Sequence, residues 1–132
     1  MTFELQMLFA SAVVLIVLLA VQGMLTPLTH GFAYGLGARD QVKDPSVLQG
    51  RLNRVVANTI EGMALFGTLI VTAHLAGVSS SLTQFGAGLF VAARIGYAVV
   101  YAAGIPVLRT AVWSVGTLGL FLIAWEIARI AF

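Results

Sequence analysis

Arg51-Leu52-Asn53-Arg54-Val55-Val56-Ala57-Asn58-Thr59-Ile60-Glu61 carries four polar side chains into a stretch whose apolar flanks read as a lipid-spanning helix. Charge at membrane depth costs at least about 2.5 kcal/mol per residue, so ionisable groups placed there are functional candidates by default. Arg51, Arg54, Asn58 and Glu61 stand at offsets of 0, 3, 7 and 10 residues. At about 100° per residue these offsets fall within an arc of about 80° on one helix face. Two cations, an amide and a carboxylate so arranged can bond one another or hold a zwitterionic ligand between helices.

The flanks decide the class. Charged residues make up 9% of the 132 and hydrophobic residues 60%, against about 25% charged in a globular protein. Mean hydropathy is +1.01. These values imply an integral membrane protein of one domain, residues 1–132, and exclude an ordinary soluble one. With 0 cysteines, a disulfide, a thiolate metal site and a cysteine nucleophile are excluded, and any thiol must come with the substrate. No basic stripe outside the polar loop supports nucleic-acid binding.

Charge placement predicts orientation. Arg39, Lys43, Arg51 and Arg54 cluster in and after the first polar segment, whereas Val78 to Gln84 is uncharged. The positive-inside rule then makes the first and third loops cytoplasmic and both termini non-cytoplasmic. Met1-Thr2-Phe3-Glu4 lacks the basic region of a signal peptide,.

Working outward, the expected architecture is an all-α bundle of four membrane-spanning helices at about 5–26, 46–76, 82–103 and 107–130,. The first is expected to end near Pro27, leaving a long loop from Thr26 to Gln49,. On the third helix Arg94, Tyr97 and Tyr101 share a face, and Arg109, Thr110 and Trp113 open the fourth. Antiparallel packing brings these groups to the depth of the second helix's polar face. The resulting excess of arginine in a low dielectric calls for an anion.

The second-helix pattern resembles R-x-x-R-A-x-x-N-x-x-E of the MAPEG family, the membrane-associated proteins in eicosanoid and glutathione metabolism. Arg94-x6-Tyr101, then Arg109, and the ending Ala124-Trp125-Glu126-Ile127-Ala128-Arg129 are similar to microsomal glutathione transferases and prostaglandin E synthases of that family. The resemblance implies a homotrimer in a bacterial inner membrane, with glutathione as co-substrate bound from the cytoplasmic side. It implies further a lipophilic small-molecule substrate that enters from the bilayer, with membrane lipids as neighbours; no metal is expected, since His30 has no partner histidine at metal spacing,. Family roles carry over onto Arg54, Asn58, Glu61, Tyr101 and Arg109, and Arg51, Arg94 and Tyr97 join the candidate glutathione ligands because they share the same helix faces. Arg109 would stabilise the thiolate, and Thr110 would donate to the sulfur. The sequence departs from the family pattern at Val55, at Leu65, where relatives carry proline, and at Trp113, where prostaglandin E synthases place tyrosine. Only His30 stands where relatives have a base late in the first helix. The resemblance therefore points to a generic transferase or peroxidase, with a non-catalytic subunit or lipid-binding scaffold as the alternative.

Simpler readings exist for individual residues. Glu61 can answer Arg54 in a structural pair, and Tyr97 can belong to an interfacial aromatic belt. His74 reads as interfacial packing, and Glu126 with Arg129 as a pair at the end of the last helix. Glycines 86, 88, 96 and 104 are expected at helix contacts.

Overall fold

The computed structural model describes residues 1–131; Phe132, the last residue of the expected domain, lies outside them. It contains α1 (Phe3–His30), α2 (Phe32–Leu36), α3 (Val47–Leu75), α4 (Ser81–Ala103) and α5 (Pro106–Ala131). No strand occurs among the described residues. Apart from α2, every helix is long and apolar enough to cross a membrane. The 29 residues of α3 measure about 44 Å at 1.5 Å per residue, so its ends project past a hydrocarbon core of about 30 Å.

Local chemistry sets the helix ends. Ser46 and Gln49 form a capping box at the start of α3, with hydrogen bonds of 2.8 and 3.2 Å. Ser80 and Thr83 do the same for α4 at 2.9 and 3.3 Å. Each box satisfies two backbone donors that a bare helix start leaves open. Helix α4 stops at Gly104, whose φ of +78° favours glycine,.

The expected end of α1 at Pro27 requires correction. The helix runs through Pro27 to His30, and the break comes at Gly31, with φ +90°. A spanning helix tolerates proline where neighbours satisfy the freed groups, and the Pro27 carbonyl still accepts from Gly31 N at 2.9 Å. The short α2 then folds back so closely that a β-carbon on Gly35 would sit 2.6 Å from that of Pro27. The predicted loop is thus shortened at both ends by helix.

The spans alternate in direction. Glu4 near the start of α1 meets Ser79 and Thr83 at the α3–α4 turn, while Gln22 near its end donates to Asn53 on α3 at 2.8 Å. One core cluster gathers Phe66, Ile70, Phe90 and Ile123, with the Phe66 and Phe90 rings stacked at 4.3 Å. The other joins Leu18, Val55 and Val56 to Tyr97 and Tyr101. Buried Leu52, Val55, Val56, Thr59, Gly62, Phe66 and Ile70 trace one stripe of α3 at spacings of about three and four residues. The closest seam joins α4 to α5, where a β-carbon on Gly119 would lie 2.6 Å from the Gly86 carbonyl oxygen. Gly86 is therefore a helix contact as expected. Gly104 both terminates α4 and lies against Arg51 of α3.

Candidate functional site

At one end of the bundle α3, α4 and α5 bring the arginines together around Tyr101. Arg54 Nε donates to the Tyr101 phenol oxygen at 2.7 Å. The Arg54 guanidinium lies 5.7 Å from the ring centroid and that of Arg109 4.9 Å. Tyr97 packs edge-on against Tyr101 at 5.4 Å. Both tyrosines are buried, so Tyr97 is part of the bundle interior and not an aromatic-belt residue. One ring system thus holds two cations that would otherwise repel each other.

Arg94 lies deeper, 3% exposed. Its Nη1 donates to Asn58 Oδ1 at 2.6 Å, and its guanidinium stands 4.9 Å from the Phe90 ring. Glycines shape its slot: a β-carbon on Gly62 would lie 3.2 Å from the guanidinium carbon, and one on Gly116 3.2 Å from Nη2. Nε is buried without a hydrogen-bond partner. Because Arg94 occupies the Asn58 carbonyl, the Asn58 amide N–H groups remain available as donors.

Arg51 has a different task. Its Nη1 donates to the Ala102 carbonyl at 3.1 Å, placing a cation at the C-terminus of α4, where the helix dipole favours one. Gly104 makes room for it, since a β-carbon there would sit 2.5 Å from Arg51 Nη2. Thr110 is exposed, and its hydroxyl donates to the Pro106 carbonyl at 3.3 Å. Glu61 is exposed and lines a cavity with Asn58 and Arg94. The Glu61–Arg54 pair expected on simpler grounds is not formed. Among the described residues the one salt bridge joins Arg129 to Glu126 at 2.8 Å.

Three adjoining cavities run along the α3–α5 groove. The first, ≈ 180 Å³, is walled by Arg51, Arg54, Tyr101, Arg109 and the Gly104–Pro106 turn. The second, ≈ 290 Å³, shares Tyr101 and Arg109 and adds Asn58, Tyr97, Thr110 and Trp113. The third, ≈ 160 Å³, shares Asn58 and Trp113 and adds Glu61 and Arg94. Leu65, Thr117 and Leu120 connect it to an apolar cavity of ≈ 310 Å³ that also includes Phe121. All nine predicted site residues therefore line one groove. Gly62, Gly116 and Phe90, which shape the Arg94 slot, were not legible in the sequence because their role depends on contacts between helices.

No group of three or more His, Cys, Asp or Glu side chains among the described residues is arranged to hold a metal ion. His30 packs edge-on against Tyr34 at 5.4 Å.

Fold and groove define a four-span membrane protein with a cationic, aromatic cleft that opens into an apolar one. The chain belongs to the MAPEG family, whose sequence signature matches residues 5–129. Comparison with curated proteins and with solved structures returns no match.

Proposed function

We propose that the protein is a membrane-bound transferase or peroxidase that binds glutathione, or a related thiol, in the arginine-lined groove. Its second substrate is a lipophilic electrophile or hydroperoxide from the bilayer. The observation that carries this reading is the gathering of Arg51, Arg54, Arg94 and Arg109 at one end of the bundle with no carboxylate within salt-bridge distance among the described residues. Unpaired cations in a low dielectric favour an anionic ligand, and glutathione supplies two carboxylates and, on ionisation, a thiolate. Its ammonium finds a partner in the exposed carboxylate of Glu61.

The chemistry is electrostatic. A thiol with a pKa of about 8.5 is largely protonated at neutral pH, and a fixed neighbouring cation lowers that value. Arg109 is the assigned cation, because it lines both the cavity shared with Arg54 and the one shared with Thr110. The thiol proton passes to solvent. The thiolate then forms a carbon–sulfur bond and expels the leaving group, or attacks a hydroperoxide oxygen, with a second glutathione completing reduction to alcohol, disulfide and water. Thr110 reaches the sulfur only by giving up its bond to Pro106. Holding both reactants in one groove supplies proximity.

Chlorodinitrobenzene conjugation by the detergent-purified protein tests this proposal. Glutathione-dependent turnover that falls sharply in Arg109→Ala supports it, and no turnover at millimolar glutathione refutes it. The alternative, a non-catalytic subunit or lipid-binding scaffold, draws on one observation. The polar groove continues directly into the apolar cavity, a layout that also suits an anionic headgroup and its acyl chain. Co-purified anionic lipid that thiols do not displace would favour that reading.

A further inference from the structure

We infer that the second substrate is an uncharged, single-chain molecule, and that the apolar cavity beyond the arginines takes its tail and rejects a tail that ends in a carboxylate. The inference rests on the transferase or peroxidase reading and narrows its substrate.

The sequence lays a polarity gradient along the groove. On α5, Arg109, Trp113, Thr117 and Leu120 stand at offsets of 0, 4, 8 and 11 residues, which places them on one helix face. Their backbone positions span about 17 Å at 1.5 Å per residue. On α3, Asn58, Glu61, Leu65 and Leu69 run alongside in the same direction, from polar to apolar. Trp113 borders both the second and the third cavity, so a molecule that reaches from Arg109 into the apolar end passes its ring.

The means of holding a charge fall away along that path. The passage of ≈ 160 Å³ is lined by one cation and one carboxylate, Arg94 and Glu61, whose formal charges cancel. Arg94 is 3% exposed and donates to Asn58. Beyond it, the cavity of ≈ 310 Å³ has no ionisable side chain in its wall. Its polar side chains are Thr68 and Thr117, and each hydroxyl donates to its own helix, to the Ala64 carbonyl at 2.7 Å and to the Trp113 carbonyl at 3.1 Å. A hydroxyl so committed can only accept. A carboxylate carried into this cavity therefore finds neither a cation nor a donor, and a buried charge without either is costly. A neutral chain meets no such penalty, so selection comes from rejection of the wrong tail.

The volumes set the length. At about 30 Å³ for each non-hydrogen atom, the share of a water molecule in the liquid, the passage holds about five atoms and the cavity about ten. That suits one chain and not a two-chain lipid. Leu65 and Phe121, 61% and 68% exposed, leave the side of the cavity open to the bilayer from which such a chain enters.

A pair of α,β-unsaturated aldehydes tests the proposal, each with a tail of about fifteen non-hydrogen atoms, one ending in a methyl ester and the other in a free carboxylate. The glutathione thiolate bonds to the β-carbon, the π electrons move toward the carbonyl, and the α-carbon takes a proton from solvent. Turnover by the detergent-purified protein should favour the ester about a hundredfold, the penalty on a bare carboxylate at membrane depth. Thr68→Lys, at an exposed wall position, puts a cation in the cavity and should narrow that ratio about tenfold. Partitioning into detergent is the same with either protein, so the change reports the cavity. Ala124→Phe fills the apolar end and should slow the ester about tenfold relative to chlorodinitrobenzene, which carries no tail. This second variant decides the matter should Thr68→Lys fail to fold. Equal turnover of acid and ester, or ratios that neither variant moves, overturns the proposal and leaves the cavity to a lipid acyl chain or a second copy of this chain. With chlorodinitrobenzene still conjugated, that result strikes the tail cavity alone. No glutathione-dependent turnover of any substrate removes both the proposal and the reading on which it rests.

Discussion

Tyr101 offers a graded test of the groove, because its phenol and its ring act on the arginines separately. Tyr101→Phe removes the oxygen to which Arg54 Nε donates at 2.7 Å and leaves the ring below Arg109 and Arg54. Arg54 is exposed, so the freed guanidinium is resolvated and the loss is one of pre-organisation. Immobilising a rotamer-rich side chain on binding costs about 0.5–1.5 kcal/mol, which is a weakening of about 2- to 13-fold. Tyr101→Leu also removes two cation–π contacts, at 4.9 and 5.7 Å. At about 0.5–1 kcal/mol each, these raise the total loss to about 1.5–3.5 kcal/mol, roughly ten- to several-hundred-fold in affinity. Calorimetric titration of glutathione into the solubilised protein measures both variants. The predicted order is wild type, then Tyr101→Phe, then Tyr101→Leu. Equal affinity in all three would refute the role given to the ring.

Further outcomes follow from the same geometry. Arg94→Met removes a buried cation that lacks a carboxylate partner. It should leave the melting temperature in detergent unchanged or raise it, because replacing a buried charge by an apolar side chain of similar size is often stabilising, while binding weakens as Asn58 loses its anchor; a lowered melting temperature with full affinity would contradict this. Arg109→Ala should eliminate thiolate absorbance at neutral pH and displace the activity profile to higher pH, toward a free thiol value of about 8.5, as a pH series with glutathione would report. Gly119→Ala forces a β-carbon to within 2.6 Å of the Gly86 carbonyl. Overpacking of this kind costs about 1–3 kcal/mol, visible as a lower midpoint in thermal unfolding.

The helical period made the second-span polar face legible, since offsets of three and seven residues repeat wherever an α-helix forms. It also brought Arg94, Tyr97 and Tyr101 to a common face of α4. What periodicity cannot show is the partner across the interface. Arg51 shares that polar face yet caps α4, because the C-terminus of α4 ends beside it. Arg94 is accommodated by glycines on two other helices, and the sequence carries no mark that pairs Gly62 with Gly116. Pro27 looked like a stop because proline removes a donor. In a spanning helix that loss is tolerated, and the positive φ of Gly31 supplies the true break. Glu4 escaped notice as an ordinary acidic residue in a first helical turn, since its burial depends on Ser79 and Thr83, 75 and 79 positions away.

Thermal unfolding of the detergent-solubilised protein across a glutathione series tests the central claim most directly, because it reports binding whether or not turnover occurs. The account predicts stabilisation that rises with the logarithm of glutathione concentration once the dissociation constant is passed, reaching about 2.7 kcal/mol at a hundredfold excess. The effect should be lost with a glutathione ester whose carboxylates are blocked, and weakened in Arg54→Ala. An unchanged melting temperature at millimolar glutathione, or equal stabilisation by the blocked ester, would contradict it.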